Sequence, residues 1–538
     1  MTTATAAIVN HLKEHNQDHE WYPTTNEIID AMGRRIASTH IGHGTYSLLD
    51  IGAGNGKVFK RLAEAHEIEP MAYAIEKSEI LIGQLPPNVF VVGADFHEQT
   101  LIDKDVDIIF CNPPYLEFEE WAAKIIREAY AHDVYLVLPT RWKDSPAIQG
   151  ELSRRKTVAH TVKSFDFLDS EDRRSRAKVD LIHLNIGSKS AWGRKGDPFE
   201  TWFNDHFQFE EDAVNPVEGY KEEESHAQRV KREAQLVKGP SLIPRLVELY
   251  NGDMENLLNS YKALSSLDSS IIKELGVDIK NLIQALQMKI KGLKRIYWQE
   301  LFSNFEPISS KLTTSSRKEM LGTLNSNTCI DFNEKNAYAV AIWVIKNANQ
   351  YFDKQLVETY QVFIHPDNAR NYVSNKRIHT DDWRAFRNTA THVQMEYRIV
   401  WNAWVAIVSP ESYRDNINGL HIQAVNTLND LCVIARNLGF NTLQWAEHFK
   451  WEPGAACLFE YEDGNTFMRV RAFKNGNLHI QFDQAFMRAF NIEAARILKW
   501  VRSAEEAAEE MKMDLEEVRK HFNKNIRVLA SDLKLLAE

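Results

Sequence analysis

Short apolar runs alternate with helical stretches between residues 46 and 186. Five of these runs have the length of buried strands: Tyr46–Ile51, Met71–Ile75, Val89–Gly93, Val106–Phe110 and Val134–Leu138. Strands that alternate with helices are typical of a parallel sheet covered by helices on both faces. The pattern therefore predicts a doubly wound, Rossmann-like α/β domain.

Two more strand-like runs follow, at Val158–Phe167 and Val179–Ile186. The segment between them is too short to contain a crossover helix, and strands joined so closely pair in antiparallel fashion. We therefore expect the last strand of the sheet to be antiparallel.

The rest of the chain has a different pattern. Residues 210–240 are charged and poorly periodic, whereas helical periodicity dominates from 241 to 450. The turn Asn475-Gly476, between Phe467–Phe473 and Leu478–Phe482, predicts a β-hairpin. We therefore predict a mainly helical C-terminal region with a small β-hairpin, and the following division: domain 1–209, linker 210–240, domain 241–450 and domain 451–538.

The composition is that of an ordinary globular protein. With 538 residues the chain is long enough for about two to four domains. Its four cysteines lack the CxxC spacing of zinc sites, so neither a metal site nor a disulfide framework is predicted. The sequence has no signal-peptide pattern and no run of roughly 20 apolar residues. We therefore expect a cytoplasmic protein that does not contact a membrane.

A glycine-rich turn directly follows the first strand. It begins at Asp50, and Gly52, Gly54 and Gly56 alternate with other residues. Glycines let the chain turn sharply and let a ligand approach the backbone. The spacing differs from the GxGxxG turn of nicotinamide-binding proteins, and Lys57 is not followed by the Ser or Thr of a phosphate loop. By itself the turn indicates either a cofactor site or an ordinary tight turn.

Two acidic residues at strand ends favour a nucleoside cofactor. Glu76 ends the second strand, where its carboxylate can accept hydrogen bonds from both ribose hydroxyls. Asp95 follows the third strand, where it can accept from an adenine amino group while Phe96 packs on the ring. Either acid alone could be a solvated residue at a strand end. Together with the glycine turn, they make S-adenosylmethionine the preferred ligand.

The fourth strand ends in Asn112-Pro113-Pro114-Tyr115. An exocyclic aromatic amine is a poor nucleophile because its lone pair is delocalised into the ring. The side-chain oxygen of Asn112 and the carbonyl oxygen of Pro113 can accept from its two hydrogens and so free the lone pair. The prolines stiffen the loop and have no competing N–H group, and Tyr115 offers a face on which a flipped base can stack.

Two alternatives apply to this motif. It could be a rigid turn at a strand exit without a catalytic role. Cys111 could be a nucleophile, as in cytosine-C5 enzymes, but its position on the strand before Asn112 indicates a small buried residue instead.

Taken in order, these motifs resemble those of the class I amino-methyltransferases, and most closely the N6-adenine DNA methyltransferases. The resemblance covers about residues 20–205. Trp21-Tyr22-Pro23-Thr24-Thr25 resembles the N-terminal cofactor-contacting segment of that family, which adds Tyr22, Pro23 and Thr24 to the expected cofactor-binding residues. The resemblance implies S-adenosylmethionine as cofactor and the N6 amino group of adenine in DNA as acceptor, with high or low site specificity.

The C-terminal region is similar to an uncharacterised domain of methyltransferases encoded by phages and mobile elements. This similarity implies a DNA modification that protects against restriction. It identifies neither the recognition sequence nor a restriction partner.

Two groups of basic residues are candidates for contacts with DNA. The net charge of −11 argues against a general affinity for nucleic acid, but a local basic face remains compatible with it. The candidates in the loop between the last two strands are Arg173, Arg174 and Arg176. The candidates in a C-terminal cluster of basic and aromatic residues are Lys376, Arg377, Arg384 and Arg387. The alternative for this cluster is an amphipathic helix whose tryptophans belong to a core.

Other functions remain open from the sequence. Protein glutamine methyltransferases share the Asn-Pro-Pro-Tyr motif, and adenine in RNA is another possible acceptor. A third possibility is a non-catalytic DNA-binding or anti-restriction protein whose methyltransferase fold only senses the cofactor.

Overall fold

The computed structural model describes most of the chain. The described residues are 3–39, 46–186, 198–207, 241–267, 272, 279–326, 329–365, 368–371, 394–409 and 415–522. The whole of the predicted linker 210–240, and Lys376, Arg377, Arg384 and Arg387, lie outside these ranges. The contacts divide the chain into two compact units, one with Met1–Phe305 and Met320–Val344 and the other with Glu306–Glu319 and Ile345–Lys534.

The first unit is built around a seven-stranded sheet. Its strands are β1 Ser47–Ile51, β2 Met71–Ile75, β3 Val89–Gly93, β4 Ile108–Cys111, β5 Asp133–Pro139, β6 Ala159–Asp166 and β7 Lys178–Asn185. The spatial order is β3-β2-β1-β4-β5-β7-β6; β1 to β5 are parallel, and β7 is antiparallel to both of its neighbours. The seven predicted strands are confirmed, and the sheet has the Rossmann-like topology expected of a class I methyltransferase.

Helices cover the sheet because its strands are apolar on both faces. All five side chains of β1 are buried, and so are all seven of β5. The helices that precede, alternate with or follow the strands are α1 Thr3–Glu14, α2 Asn26–Thr39, α3 Lys57–His66, α4 Glu79–Ile82, α5 Phe118–Glu128, α6 Pro146–Arg154, α7 Pro198–His206, α8 Leu242–Ser265 and α9 Ile279–Asn304.

The strand order places a ligand site at one edge of the sheet. From β1 the chain proceeds to β2 and β3 on one side, and β4 returns to the other side of β1. Such a reversal leaves a crevice at the carboxyl ends of the strands. Asp50, Glu76, Asp95 and Asn112 all lie at these carboxyl ends.

The second unit combines helices with a further sheet. Along the chain come α10 Glu306–Ser309, α11 Thr314–Ser326 and α12 Glu334–Ile364, and later α13 Ile422–Asn437, α14 Gln484–Ile497, α15 Ala504–Met511 and α16 Leu515–His521. Of α11 and α12, residues 320–344 belong to the first unit. The strands are β8 Ala369–Asn371, β9 Arg398–Asn402, β10 Asn416–Ile417, β11 Leu420–His421, β12 Ala456–Glu460, β13 Thr466–Ala472 and β14 Asn477–Phe482. Five of them form an antiparallel sheet of order β12-β13-β14-β9-β8.

The predicted hairpin is confirmed as β13 and β14. The C-terminal region is mainly helical, as predicted, but β8, β9, β10 and β11, which lie between 351 and 450, were not predicted. The longest of them, β9, has five residues and pairs with β14 through a contact remote in sequence, which a local pattern cannot reveal. None of the helices in the described ranges is long and apolar enough to cross a membrane.

A buried ionic cluster joins the sheet of the first unit to later parts of the chain. The Lys294 ammonium group on α9 donates to Asp103 at 2.6 Å and to Asp331 at 2.7 Å, and Lys104 donates to Asp331 at 2.9 Å. Lys104 is fully buried, and the opposite charges lower the pKa of Asp331 despite its burial and raise that of Lys294. Each charge is therefore compensated by partners far away in sequence.

This cluster places residues after 205 inside the unit that contains the sheet. The compact units thus divide the chain differently from the predicted boundaries at 209, 240 and 450, because α8, α9 and residues 320–344 pack with the sheet. A fragment that ends near residue 205 would leave Lys104 and Asp103 without Asp331 and Lys294. A fragment intended to bind ligand at the sheet should therefore extend to residue 344.

We expect Lys294→Ala to destabilise the first unit by about 3–5 kcal/mol, since it leaves buried carboxylates with one lysine instead of two. The measurement is urea unfolding of the full-length protein, followed by tryptophan fluorescence. The control is Lys291→Ala, an exposed lysine one turn away on the same helix, which should change stability by less than about 0.5 kcal/mol. Equal effects of the two substitutions would contradict a role for the cluster.

Candidate active site

A cavity of about 280 Å³ lies at the carboxyl ends of β1 to β4. One wall is the segment 17–24, which precedes α2 and has no regular secondary structure. The opposite side is formed by the ends of the strands and by the start of α5. Of the predicted cofactor-binding residues, the lining includes Tyr22, Pro23, Thr24, Asp50, Gly52, Glu76, Asp95, Phe96 and Asn112.

The glycine turn needs its glycines for two reasons. Gly52, Gly54 and Gly56 all have positive φ, at 77°, 58° and 74°, where other residues are strained. In addition, a Cβ atom on Gly54 would collide with the indole nitrogen of Trp21. The turn is therefore shaped both by its own backbone and by the segment packed over it.

Glu76 ties the glycine turn to the end of β2. Its carboxylate accepts from the backbone N–H of Gly54 at 2.7 Å and from that of Ser78 at 2.8 Å. Burial raises the pKa of Glu76, while these backbone N–H groups act in the opposite direction. Its carboxylate is thus held in place at the cavity wall before any ribose hydroxyl is present.

Asp50 lies beside Glu76, but its carboxylate has fewer hydrogen-bond partners than that of Glu76. Its side chain is buried, and in the described part of the chain its Oδ2 atom has no hydrogen-bond partner. Burial, together with the charge of Glu76, raises the pKa of Asp50 well above its usual value. An unpaired buried carboxylate oxygen is costly, and at a cavity wall it is suited to receive a hydrogen-bond donor or cation from a ligand.

Asp95 differs from Asp50 and Glu76 because its carboxylate is paired with lysines and its pKa is lowered. Its carboxylate accepts from the backbone N–H of His97 at 3.1 Å and pairs with Lys77 at 3.0 Å and Lys335 at 3.3 Å. Burial raises the pKa of Asp95, but these three partners outweigh burial and lower it. Asp95 is therefore already paired, and its expected contact with adenine remains a prediction.

Phe96 contributes an aromatic wall to the same part of the cavity. It is buried and packs against Trp121, with the ring centroids 4.4 Å apart. Trp121 also approaches Gly52, because a Cβ atom there would lie 3.7 Å from its ring. The expected packing of Phe96 on an adenine ring is compatible with this position.

The side chain of Asn112 has a fixed orientation. Its Nδ2 atom donates to the carbonyl oxygen of Tyr22 at 3.1 Å and to the hydroxyl oxygen of Thr24 at 3.3 Å. A carbonyl oxygen can only accept, so the amide nitrogen must face it. The Asn112 oxygen is thereby left to accept from an acceptor substrate.

The segment 17–24 is fastened by the loop between β6 and β7. The Arg173 guanidinium donates to both carboxylate oxygens of Asp18, at 2.8 and 3.0 Å, and to the carbonyl oxygen of Trp21 at 2.7 Å. It also lies over the Tyr22 ring, 4.2 Å from the centroid. Three of the five N–H donors of Arg173 are therefore used within the protein, and its expected contact with phosphate remains a prediction.

The other residues of this loop divide into two groups. Glu171 and Asp172 accept from the Lys57 ammonium group at 2.6 and 2.7 Å, which anchors the loop to the start of α3. Arg174 and Arg176 are exposed. Of the three arginines predicted to contact DNA, these two are the exposed ones.

The rest of the acceptor motif contacts the cavity only in part, since Pro113 and Tyr115 are not among its lining residues. Pro113 is buried, and Pro114 lines the cavity. Tyr115 is half-buried, with the Arg141 guanidinium 4.8 Å from its ring centroid. Cys111 is fully buried on β4, and burial raises its pKa well above the usual value, which agrees with a small core residue and not with a nucleophile.

Several cavity residues were missed in the sequence. They include Trp21, Lys77, His97, Glu117 and Trp121. Trp21 is the first residue of the segment that resembles a cofactor-contacting motif, so its position was a usable signal. Trp121 is on a helix, where its spacing resembles that of an ordinary core residue, and no local signal distinguishes it.

The comparisons with known proteins give only distant likenesses. No family model matches the sequence, and no curated protein matches it either. Similar solved structures include the 23S rRNA methyltransferase ErmE (15% identity, 32% of this chain and 74% of that one, TM-score 0.24), the N-terminal domain of human METTL16 in complex with SAH (14%, 31% and 72%, 0.24) and a precorrin-6y C5,15-methyltransferase from Geobacter metallireducens (17%, 28% and 86%, 0.22). TM-scores this low support no inference about function.

We expect Arg173→Ala to weaken S-adenosylmethionine binding about tenfold, because it removes charge-assisted hydrogen bonds that hold the cavity wall. Asp18→Ala should have a similar effect, and the double variant should be little worse than either single one. Isothermal titration calorimetry measures these affinities. The matched control is the exposed neighbour Arg174→Ala. If Arg173→Ala instead weakened DNA binding and left cofactor affinity intact, the residue would act on phosphate.

We expect Asp50→Asn to stabilise the cofactor-free protein and to weaken cofactor binding. Because the pKa of Asp50 is raised in the folded state, stability falls as the pH rises from the usual aspartate range towards the raised pKa. The substitution should therefore raise the melting temperature at neutral pH by about 2–4 °C, the shift that accompanies about 1 kcal/mol. Exposed Asp144→Asn is the control. A lower melting temperature for Asp50→Asn would show that the Asp50 carboxylate is stabilised by its surroundings in the cofactor-free protein.

Proposed function

We propose that this protein transfers a methyl group from S-adenosylmethionine to the N6 amino group of adenine in DNA. The observation that carries the proposal is the orientation of Asn112, whose amide nitrogen is held by Tyr22 and Thr24 so that its oxygen can accept from a substrate amine. A structural turn would not need this arrangement at the edge of a cavity.

The cavity residues fit the proposed cofactor. S-adenosylmethionine carries an ammonium group, ribose hydroxyls and a methyl group on a cationic sulfur, which makes that methyl group electrophilic. Asp50 offers the ammonium group a buried oxygen that has no described partner. Glu76 is fixed for the ribose by two backbone N–H groups, and Phe96 presents a ring to the adenine.

The acceptor motif can perform its part without moving. The Asn112 oxygen and the Pro113 carbonyl would accept from the two hydrogens of the amine and localise its lone pair on nitrogen. The nitrogen then bonds to the methyl carbon, the sulfur retains the electron pair of the broken bond, and a proton passes from nitrogen to solvent. Acceptors already held in place need no reorganisation during the reaction.

The choice of adenine in DNA rests on further features. The order of the motifs resembles that of the N6-adenine DNA methyltransferases, and Tyr115 offers a face to a flipped base. Arg174 and Arg176 are exposed on the loop that leaves β6 at the same edge of the sheet, where they can contact phosphates. A role in protecting phage or mobile-element DNA from restriction belongs to the same proposal.

The proposal is tested by supplying one labelled cofactor with several acceptors. DNA, RNA and a mixture of proteins are incubated with protein and isotope-labelled S-adenosylmethionine, and the nucleosides and amino acids are analysed by mass spectrometry. We expect label in N6-methyldeoxyadenosine. Label in methyladenosine of RNA or in methylglutamine, with none in deoxyadenosine, would replace DNA by the corresponding alternative.

Asn112→Ala separates an enzyme from a cofactor-sensing DNA-binding protein. We expect the methylation rate to fall by about 100-fold or more, the usual loss when one preset hydrogen-bonding group is removed, while DNA affinity remains nearly unchanged. Asn88→Ala, an exposed asparagine before β3, is the control. A biological phenotype that survives Asn112→Ala would favour the non-catalytic reading.

A further inference from the structure

The five-stranded sheet of the second unit has two different faces. One face is packed into a core, where Val470, Ile480, Ile399 and Trp401 are buried. The other face, which we call the outer face, consists of the alternate residues of β12, β13, β14 and β9. Its side chains at positions 456, 458, 469 and 471 are exposed.

Arginines occupy neighbouring positions across the outer face. Arg469 on β13 stands opposite Gln481 on β14, which in turn stands opposite Arg398 on β9. Arg471, two residues further along β13, stands opposite His479. Adjacent strands are about 4.8 Å apart, and alternate residues of a strand are about 6.8 Å apart. The two arginines of β13 are therefore neighbours on the outer face, and Arg398 lies two strands away.

The four strands bring few acidic groups to the outer face. On the four strands, the only carboxylate of the outer face is Glu460, at the bulged end of β12, where it accepts from Gln444. Arg469 and Arg471 have no salt bridge among the described residues. The outer face is thus locally basic in a chain whose net charge is −11.

Trp404 adds a second, independent observation at one end of the same sheet. Its side chain is 85% exposed, and its φ is 60°, a conformation that bulky residues rarely adopt. It follows β9 next to the hairpin turn, since Ala403 donates to the carbonyl oxygen of Gly476 at 2.9 Å. A Cβ atom on Gly476 would lie 2.6 Å from the Trp404 carbonyl oxygen, so the turn requires glycine.

An exposed tryptophan in a strained conformation suggests a function. The backbone costs about 1–3 kcal/mol in such a region, and the exposed ring gains nothing from core packing. Aromatic rings that project from a surface beside cationic groups are suited to stack on nucleic-acid bases. Phe473 and His479, whose ring centroids are 4.7 Å apart, lie at the same end of the sheet.

The sequence between β8 and β9 is also basic. The two strands pair directly, with Ala369 opposite Trp401. The residues that connect them include Lys376, Arg377, Arg384 and Arg387, the cluster predicted to contact DNA. These four residues lie outside the described ranges.

We propose that the outer face binds a single strand of nucleic acid, with Arg469 and Arg471 on phosphates and Trp404 stacked on a base. A single strand fits because an open sheet can support bases that are splayed apart, whereas a duplex is usually read by elements that enter its grooves. The inference rests on the proposed function only for the choice of nucleic acid as the ligand.

The first test removes two cations from the outer face. Binding of a fluorescent single-stranded DNA oligonucleotide of mixed sequence to the full-length protein is measured by anisotropy at several salt concentrations. For Arg469→Ala/Arg471→Ala, we expect about tenfold weaker binding and a salt dependence whose logarithmic slope is smaller by about 1.4, the value for two lost phosphate contacts on a single strand. The control, Lys354→Ala/Arg519→Ala, removes the same charge from exposed helix positions.

The second test separates stacking from folding. Asparagine tolerates the left-handed conformation better than tryptophan, so Trp404→Asn should leave the melting temperature unchanged or raise it. The same variant should bind the oligonucleotide about fivefold or more weakly, the loss expected when one base no longer stacks. A lower melting temperature with unaltered binding would show that the ring is structural.

The outcomes distinguish this inference from the proposed function. An unchanged affinity and salt slope in the arginine variant would overturn the inference, and so would equal displacement of the oligonucleotide by polyglutamate or tighter binding of duplex DNA. If labelled methyl failed to enter nucleic acid but the arginine and tryptophan variants lost binding, nucleic-acid binding by the outer face would be supported and the proposed methyl transfer would be wrong. Retained binding by Asn112→Ala is expected.

Discussion

The cavity depends on a segment that has no secondary structure of its own. Residues 17–24 form one of its walls, yet neither a helix nor a strand holds them. Backbone groups in such a segment need partners from elsewhere. Arg173 provides them by binding Asp18 and the Trp21 carbonyl, and Asn112 binds the Tyr22 carbonyl one residue further on. The orientation of the Asn112 side chain therefore depends on the same segment that forms the wall, and Arg173, on the loop between β6 and β7, holds that segment in place.

Three acids at successive strand ends show how partners set the state of a carboxylate. Glu76 accepts from two backbone N–H groups, Asp95 is paired with two lysines, and Asp50 has one oxygen without a described partner. Although all three are buried, the pKa of Asp95 is lowered while those of Asp50 and Glu76 are raised. At Asp95 the carboxylate charge is thus already paired within the protein, whereas at Asp50 one oxygen is available to a hydrogen-bond donor of a ligand.

The strands and the glycine turn could be predicted from the sequence because their signals are local. An apolar run, a glycine at a sharp turn and an Asn-Pro-Pro-Tyr motif each lie within a few residues. The partners of these motifs could not be predicted in the same way. Lys335 reaches Asp95 across 240 residues, and Lys294 reaches Asp103 across 191. Arg173 was predicted to contact phosphate, and only the fold shows that it binds Asp18.

Because these contacts join residues that are far apart in sequence, they can form only late in the synthesis of the chain. Lys104 and its partner Asp331 are separated by 227 residues. At about 5–20 residues per second, a ribosome needs roughly 10–45 seconds to produce the second after the first. During this interval the nascent sheet has a lysine and an aspartate at its surface that the finished protein buries. Water and salt can satisfy both groups in the meantime, so polar contacts, unlike apolar ones, allow the unfinished domain to wait without exposing an adhesive surface.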